Sequence, residues 1–303
     1  MNFLEVKSIS QMHRILGLNP PEHPLISIFN WEDVQHQEVS DKVKGVQVVL
    51  DFYTVSEKDF PCETLIYGRN TYDFNEGSMM FVGPGQVTSS SNDAETTGWT
   101  LIFHPELIRH TKLATKMSEY TFFQYNVHEA LHLSEKEKRI IRSLIEQIRE
   151  EYASNIDVFT KEVIVSQLEL LFNYSQRFYS RQFITRTAQN SDFVAQFEAE
   201  LQRWFNSDKI LERGLLTVKQ CAESIGMSPD YLSDMLKQET GKSAQEHIHY
   251  VLIDRAKNQL LSTSNTVSEI AYSLGFEYPQ YFSKLFKKKT GMTPTQFREN
   301  REH

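Results

Sequence analysis

Residues 267–294 read "VSEIAYSLGFEYPQYFSKLFKKKTGMTP", and a matching stretch, "VKQCAESIGMSPDYLSDMLKQETGKSA", occupies 218–244. Ala222 matches Ala271, and Gly226 matches Gly275. Tyr231 then matches Tyr281, Leu236 matches Phe286 and Gly241 matches Gly291, with one residue inserted in the turn of the second copy. A repeat of about fifty residues marks a duplicated supersecondary unit. Each copy predicts a helix, a tight turn and a second helix. Thr217 with Gln220, and Thr266 with Glu269, have the spacing of capping boxes that open the first helix. Gly226 and Gly275 end it, where a left-handed residue is wanted. Ser228-Pro229 starts the second helix of the first copy, and Gly241 and Gly291 terminate the second helices. Such a pair around a short Gly-containing turn is a helix-turn-helix.

Between the copies lies "SAQEHIHYVLIDRAKNQLLST" (243–263), with a capping box at Ser243 and Glu246 and an apolar stripe through Ile248, Leu252, Ala256 and Leu260. About nineteen residues at ~1.5 Å each make a rod of roughly 28 Å. Successive major grooves on one face of DNA are ~34 Å apart, so the rod could hold two recognition helices in neighbouring grooves.

Residues 197–299 resemble the DNA-binding domain of the AraC/XylS family of bacterial transcription regulators. The resemblance rests on Ala222, Gly226 and Ser228 of the first copy. It rests also on "RAKNQLL" (255–261) and above all on "IAYSLGFEYPQYFSKLFKKKTGMTPTQFR" (270–298). It implies double-stranded DNA as partner, with RNA polymerase a second partner if the regulator activates. Gln280 and Lys284 fall at base-contacting positions of the family. Gln can bridge adenine N6 and N7, and Lys can donate to guanine. Ser283 shares their face, and Lys287, Lys288 and Lys289 suit phosphates. The first copy carries Asp230, Ser233, Asp234 and Lys237 on the same face, acids where the family has basic or amide residues. Two readings stand: the acids accept from cytosine N4, or the module offers mainly backbone amides. The second is preferred, and it makes the second copy dominant. The net charge of −8 argues against a nucleic-acid partner, but the excess acid lies in residues 1–190. The stretch 283–298 carries five cations and no acid, so one basic face is compatible with an acidic chain.

Residues 24–104 read as short strands, "PLISIF", "GVQVVLDFYTV", "TLIYG", "SMMFVG" and "GWTLIF", separated by turn compositions. This predicts a small barrel or sandwich. "SEKEKRIIRSLIEQIREEY" (134–152) and "TKEVIVSQLELLFNYSQRFY" (160–179) then predict two amphipathic helices, the first opened by a capping box at Ser134 and Glu137. The expected class is α+β: a small cupin-like β-barrel with a helical pair, followed by an all-α domain holding two helix-turn-helix motifs joined by a long helix. The expected domains are 1–112 (effector-sensing barrel), 113–185 (helical pair, homodimerisation) and 186–303 (DNA binding), with polar "RTAQNSD" (186–192) as linker. The barrel and its effector role follow from the family resemblance. Metal in it is not expected, because Val87 and Thr88 stand where a ligand His would be. A small-molecule effector would meet Tyr53, Tyr67, Arg69, Tyr72 and Trp99. The alternative is a regulator without an effector, controlled by abundance or a protein partner.

"HEALH" (128–132) matches the His-Glu-x-x-His of zinc peptidases, with Glu129 as base between His128 and His132. That chemistry needs both imidazoles on one face of a continuing helix and a third ligand. Ser134 starts a new helix just beyond His132, so the motif is expected in a connection ahead of it. No catalytic constellation, cofactor loop or metal site is otherwise visible, and the chain is not expected to be an enzyme. With Cys62 and Cys221 far apart, no apolar run long enough for a bilayer and no secretory signal, the cytoplasm is the expected location.

Overall fold

The computed structural model describes residues 3–34, 47–59, 66–67, 70–71, 78–89, 97–126, 129–154, 157–207 and 209–299. The chain divides into two compact units, Met1–Gln182 and Phe183–His303.

In the first unit the strands are Phe3–Val6 (β1), Ile26–Asn30 (β2), Gln47–Leu50 (β3), Tyr53–Asp59 (β4), Ile66–Tyr67 (β5), Asn70–Thr71 (β6), Ser78–Val82 (β7), Val87–Ser89 (β8), Thr97–Phe103 (β9) and Leu131–His132 (β10). They form a five-stranded sheet in the order β10-β7-β4-β9-β2, a three-stranded sheet β1-β3-β8 and the pair β5-β6. The larger sheet is antiparallel throughout, while β1 runs parallel to β3. The expected closed barrel is not seen. Among the described residues the sheets are open, and Val6 and Leu50 of one share a core cluster with Phe29 and Ile102 of the other. β1 and the Ile9–Leu16 helix precede the region read as strands, and sequence reading missed both.

Side chains alternate across a strand, so each row of the larger sheet has two faces. Tyr53, Val55 and Glu57 stand opposite Phe103, Leu101 and Trp99. The helices cover this face. Phe103 meets Phe172 of the Thr160–Thr185 helix, and Glu57 meets Arg142 of the Glu135–Ala153 helix. The capping box at Ser134 and Glu137 is formed, and of the apolar face predicted through Ile140, Ile141, Leu144, Ile145 and Ile148 all are buried but Ile140, which is half-buried.

In the second unit, Thr187–Phe205 and Lys209–Arg213 precede the duplicated part. The segment 186–192, expected as a linker, lies largely within the first of these helices. Asn190 there is buried, its Nδ2 donating to the Phe183 carbonyl at 2.6 Å and to Glu239 at 2.7 Å. The copies follow as Val218–Ser224 with Pro229–Thr240, and Val267–Ser273 with Pro279–Thr290, joined by the Ala244–Ser262 helix and closed by Pro294–Glu299. No helix among the described residues is long and apolar enough to cross a membrane.

Candidate nucleic-acid interface

Local chemistry sets each helix-turn-helix. The three capping boxes expected in this unit form, at Thr217, Ser243 and Thr266. After the first helices, Met227 N–H donates to the Ala222 carbonyl at 2.9 Å and Phe276 N–H to Ala271 at 3.0 Å. This six-to-one closure needs a left-handed residue, supplied by Gly226 (φ 73°) and Gly275 (φ 84°). Ser228 caps the first recognition helix through the Tyr231 N–H, with Pro229 behind it. In the second copy Tyr278 stands at the cap without a side-chain bond, and Pro279 opens the helix.

Ala222 and Ala271 are fully buried, as close helix crossing requires. Cys221 is core, its thiol pushed up to about 12 by burial with a smaller push from Glu200. Phe282 and Phe286 are fully buried and touch each other, Phe276 and Phe297, which fixes the roll of the second recognition helix. Burial of each ring is worth about 2–3 kcal/mol. With that side inward, Gln280, Lys284, Lys287, Lys288 and Lys289 are exposed and Ser283 is half-buried. At 100° per residue Lys284 sits at the middle of the outer face, Gln280 and Lys287 on one flank and Lys288 on the other.

The first copy presents less. Lys237 is exposed, while Asp230, Ser233 and Asp234 are half-buried. Burial, and then the neighbouring Asp234 carboxylate, hold the Asp230 pKa above its ordinary value. Both recognition helices bring their C-terminal lysines toward the start of the connecting helix. Glu246 is held below the usual carboxylate range first by its bonds to Ser243 and then by Lys289 and Lys237. His249 on the same helix is lowered by burial and then by Lys289 and Lys288, with Glu246 opposing.

The repeat hid one feature. Tyr231 and Tyr281 are equivalent in sequence, yet Tyr231 is 8% exposed and Tyr281 is 62% exposed. Phe183 packs edge-on against Tyr231 at 5.1 Å. Tyr281 instead meets only exposed Tyr278 among the ring contacts described. An aromatic pair thus flanks the basic face of the second copy. The signal was in the insertion: the extra residue put a tyrosine at the cap where the first copy has Ser228.

Of the residues expected to meet an effector, Tyr53 and Trp99 stand on the same face of the larger sheet. Tyr53 stacks on Phe103 at 4.9 Å and lies edge-on to Phe123, and burial raises its pKa. Trp99 donates its indole N–H to Glu57 at 2.6 Å. Both belong to the helix-covered face. Tyr67 lies in β5, and Arg69 and Tyr72 fall outside the described residues. The opposite face carries hydroxyls. Ser56 and Thr100 are 2.9 Å apart, the Trp31 indole donates to Thr100 at 2.9 Å, and Thr54 Oγ1 is buried with no partner among the described residues.

Of "HEALH", His128 lies outside the described residues. Glu129 is buried, its carboxylate accepting from the Asn126 N–H at 2.7 Å. His132 lies in β10, paired with Ser78. The described part of the motif is therefore a strand and its approach, not a helix. No cluster of three His, Cys, Asp or Glu able to hold a metal occurs among the described residues.

Residues 221–300 match the family model of a helix-turn-helix domain. The chain is 42% identical over 86 residues to YesN of Bacillus subtilis, an uncharacterized transcriptional regulatory protein, covering 27% of this chain and 23% of that one. It is 31% identical over 84 residues to the xylose operon regulatory protein of Escherichia coli K12, covering 28% and 21%. The C-terminal domain of AraT, a response regulator from Geobacillus stearothermophilus, is 35% identical, covering 33% of this chain and 84% of that one, with a TM-score of 0.29. The chain spans well under half the length of these two curated relatives.

Proposed function

We propose that this chain, whose residues 221–300 match a helix-turn-helix domain, is a sequence-specific DNA-binding transcription regulator of the AraC type. The observation that carries the reading is the pair of helix-turn-helix units on one connecting helix, the second with Gln280, Lys284, Lys287 and Lys288 turned outward. Phosphate contacts supply most of the affinity. Gln280 and Lys284 read base edges, and Tyr281 lies beside them. The first copy contributes less, since its acidic face repels phosphates and part of it is packed inward.

Selection of bound fragments from a random duplex pool, followed by footprinting, tests this. Two protected patches about one helical turn apart are expected. Absence of any footprint in dilute salt would remove the proposal.

The first unit is proposed to sense a small molecule on the hydroxyl-bearing sheet face of Thr54, Ser56 and Thr100. The Thr54 hydroxyl, buried with no bond among the described residues, favours this, because a buried polar group without a bond is costly and a ligand would satisfy it. The exposed apolar side chains Phe159, Val163 and Leu170 support homodimerisation along the Thr160–Thr185 helix. A metabolite that binds the folded unit raises its melting temperature. A library with no such hit favours control by abundance or a protein partner.

A further inference from the structure

The β2 edge of the five-stranded sheet borders a cleft of about 630 Å³, within the ~300–1,000 Å³ usual for small-molecule sites. Among the described residues β2 has β9 as its only neighbour in that sheet. Leu25 turns its carbonyl toward that neighbour, accepting from His104 N–H. By alternation Ile26, Ile28 and Asn30 therefore turn their backbone groups away from β9, where Ile26 forms an isolated bridge with His23. Tyr152 of the Glu135–Ala153 helix meets this edge, its hydroxyl accepting from Ile28 N–H at 3.1 Å.

Charges of opposite sign flank that hydroxyl. Burial raises the Tyr152 pKa, Arg149 opposes the rise and Glu22 adds to it, so both side chains lie within electrostatic reach of the phenol. Arg149 bonds Asn30 Oδ1 at 3.3 Å, pairs with Glu146 at 3.4 Å and also bonds the Tyr152 side chain, from a fork of five donors. Asp33 also lines the cleft, its carboxylate 3.4 Å from Asn30 Nδ2. His13 forms the wall with both ring nitrogens engaged, Nδ1 with the Asn19 carbonyl at 2.6 Å and Nε2 with Ser27 at 2.9 Å.

We propose that this cleft binds a small zwitterion of the α-amino acid class, its carboxylate on the Arg149 guanidinium and its ammonium toward Glu22 and Asp33. A simple anion would face two carboxylates, and a simple cation would face Arg149. A neutral sugar would leave both signs without a counterpart. A molecule carrying both charges answers both walls, and a planar guanidinium fork suits a carboxylate.

Isothermal titration of the full chain with the twenty standard amino acids, one at a time, tests the assignment. The matching decarboxylated amines, simple carboxylic acids and a neutral pentose serve as comparisons. At least one amino acid should bind with a sub-millimolar Kd while its amine does not. Arg149→Met should weaken that binding at least tenfold. Glu22→Gln, a change at an exposed position that the fold tolerates, should weaken it at least threefold. The proposal is overturned if no amino acid binds, if a carboxylic acid or the pentose binds as well, or if Glu22→Gln binds like the parent. The assay contains no DNA, so its outcome is separate from that of the regulator reading.

Discussion

Lys287→Ala and Lys288→Ala, made singly and together, test how the second copy holds DNA. Both side chains are exposed, near the end of a helix whose roll is fixed by buried Phe282 and Phe286. Neither has an acid partner among the described residues, so their removal unmasks no opposing charge. Each phosphate neutralised by a cation contributes a slope of about −0.9 to log K against log salt. Losing one contact should flatten the slope by ~0.9, and losing two by ~1.8. From ~50 to ~200 mM salt the parent should therefore lose about 3.5-fold more affinity than a single variant, and about 12-fold more than the double variant. Fluorescence anisotropy on the selected duplex and on a scrambled duplex of equal length, at several salt concentrations, reads this directly. The reasoning predicts equal loss on both duplexes. An unchanged slope would show that these lysines meet no phosphate. A loss confined to the selected duplex would make them base readers instead.

Lys284→Ala should relax base preference at one position and cost ~1–3 kcal/mol of specific binding, whereas Asp234→Ala should leave affinity unchanged or improve it; equal losses in a binding assay would refute the inequality of the copies. Because the Asp230 pKa is raised by burial and Asp234, the stability its protonated form keeps below the ordinary carboxylate range is lost as pH rises through the raised pKa. Asp230→Asn should match the parent in acid and exceed it at neutral pH in thermal melts. Arg142→Met removes bonds of 2.7 and 3.3 Å to Glu57, whose side chain is 0% exposed, and leaves the Trp99 N–H bond. As Arg142 is about half exposed, so that water can enter, the expected loss in urea unfolding is about 2 kcal/mol. At Gly275 (φ 84°) an added Cβ would stand 2.9 Å from Gly214 backbone carbon and from Ile210 Cγ1, while at Gly241 (φ 76°) it meets nothing within 4 Å. Gly241→Ala should cost about 1–2 kcal/mol for the left-handed backbone alone, and Gly275→Ala clearly more by the same unfolding measurement.

The C-terminal unit was legible because its signals are local. Capping boxes, left-handed glycines and the i, i+4 pairing of Phe282 with Phe286 are written within a few residues of where they act. The first unit was less so. Alternation in β4 and β9 separates two faces but does not say which one is covered. Glu57 shares its face with Tyr53 and Trp99, and a charged residue ordinarily marks the outside. Here Trp99 and Arg142 satisfy its carboxylate, and the face is buried. Asn190 misled in the same way. A polar, aperiodic segment reads as linker until its amide is seen bonding Phe183 and Glu239.

Internal repetition sets equal backbones but not equal surfaces. The helix of each copy fixes where its outer residues point, and the neighbours decide which of them DNA can reach. In the first copy Phe183 covers Tyr231, and Asn190 engages Glu239 on the same recognition helix. That helix is thereby tied to the segment that leads into it. In the second copy the equivalent tyrosine is open and joined by Tyr278. The acids of the first face and the lysines of the second follow the same division. A module held from behind can position the domain with little base reading. On the proposed reading the open, basic and aromatic-flanked module carries the discrimination, and a selected site should therefore show strong preference in one half and weak preference in the other.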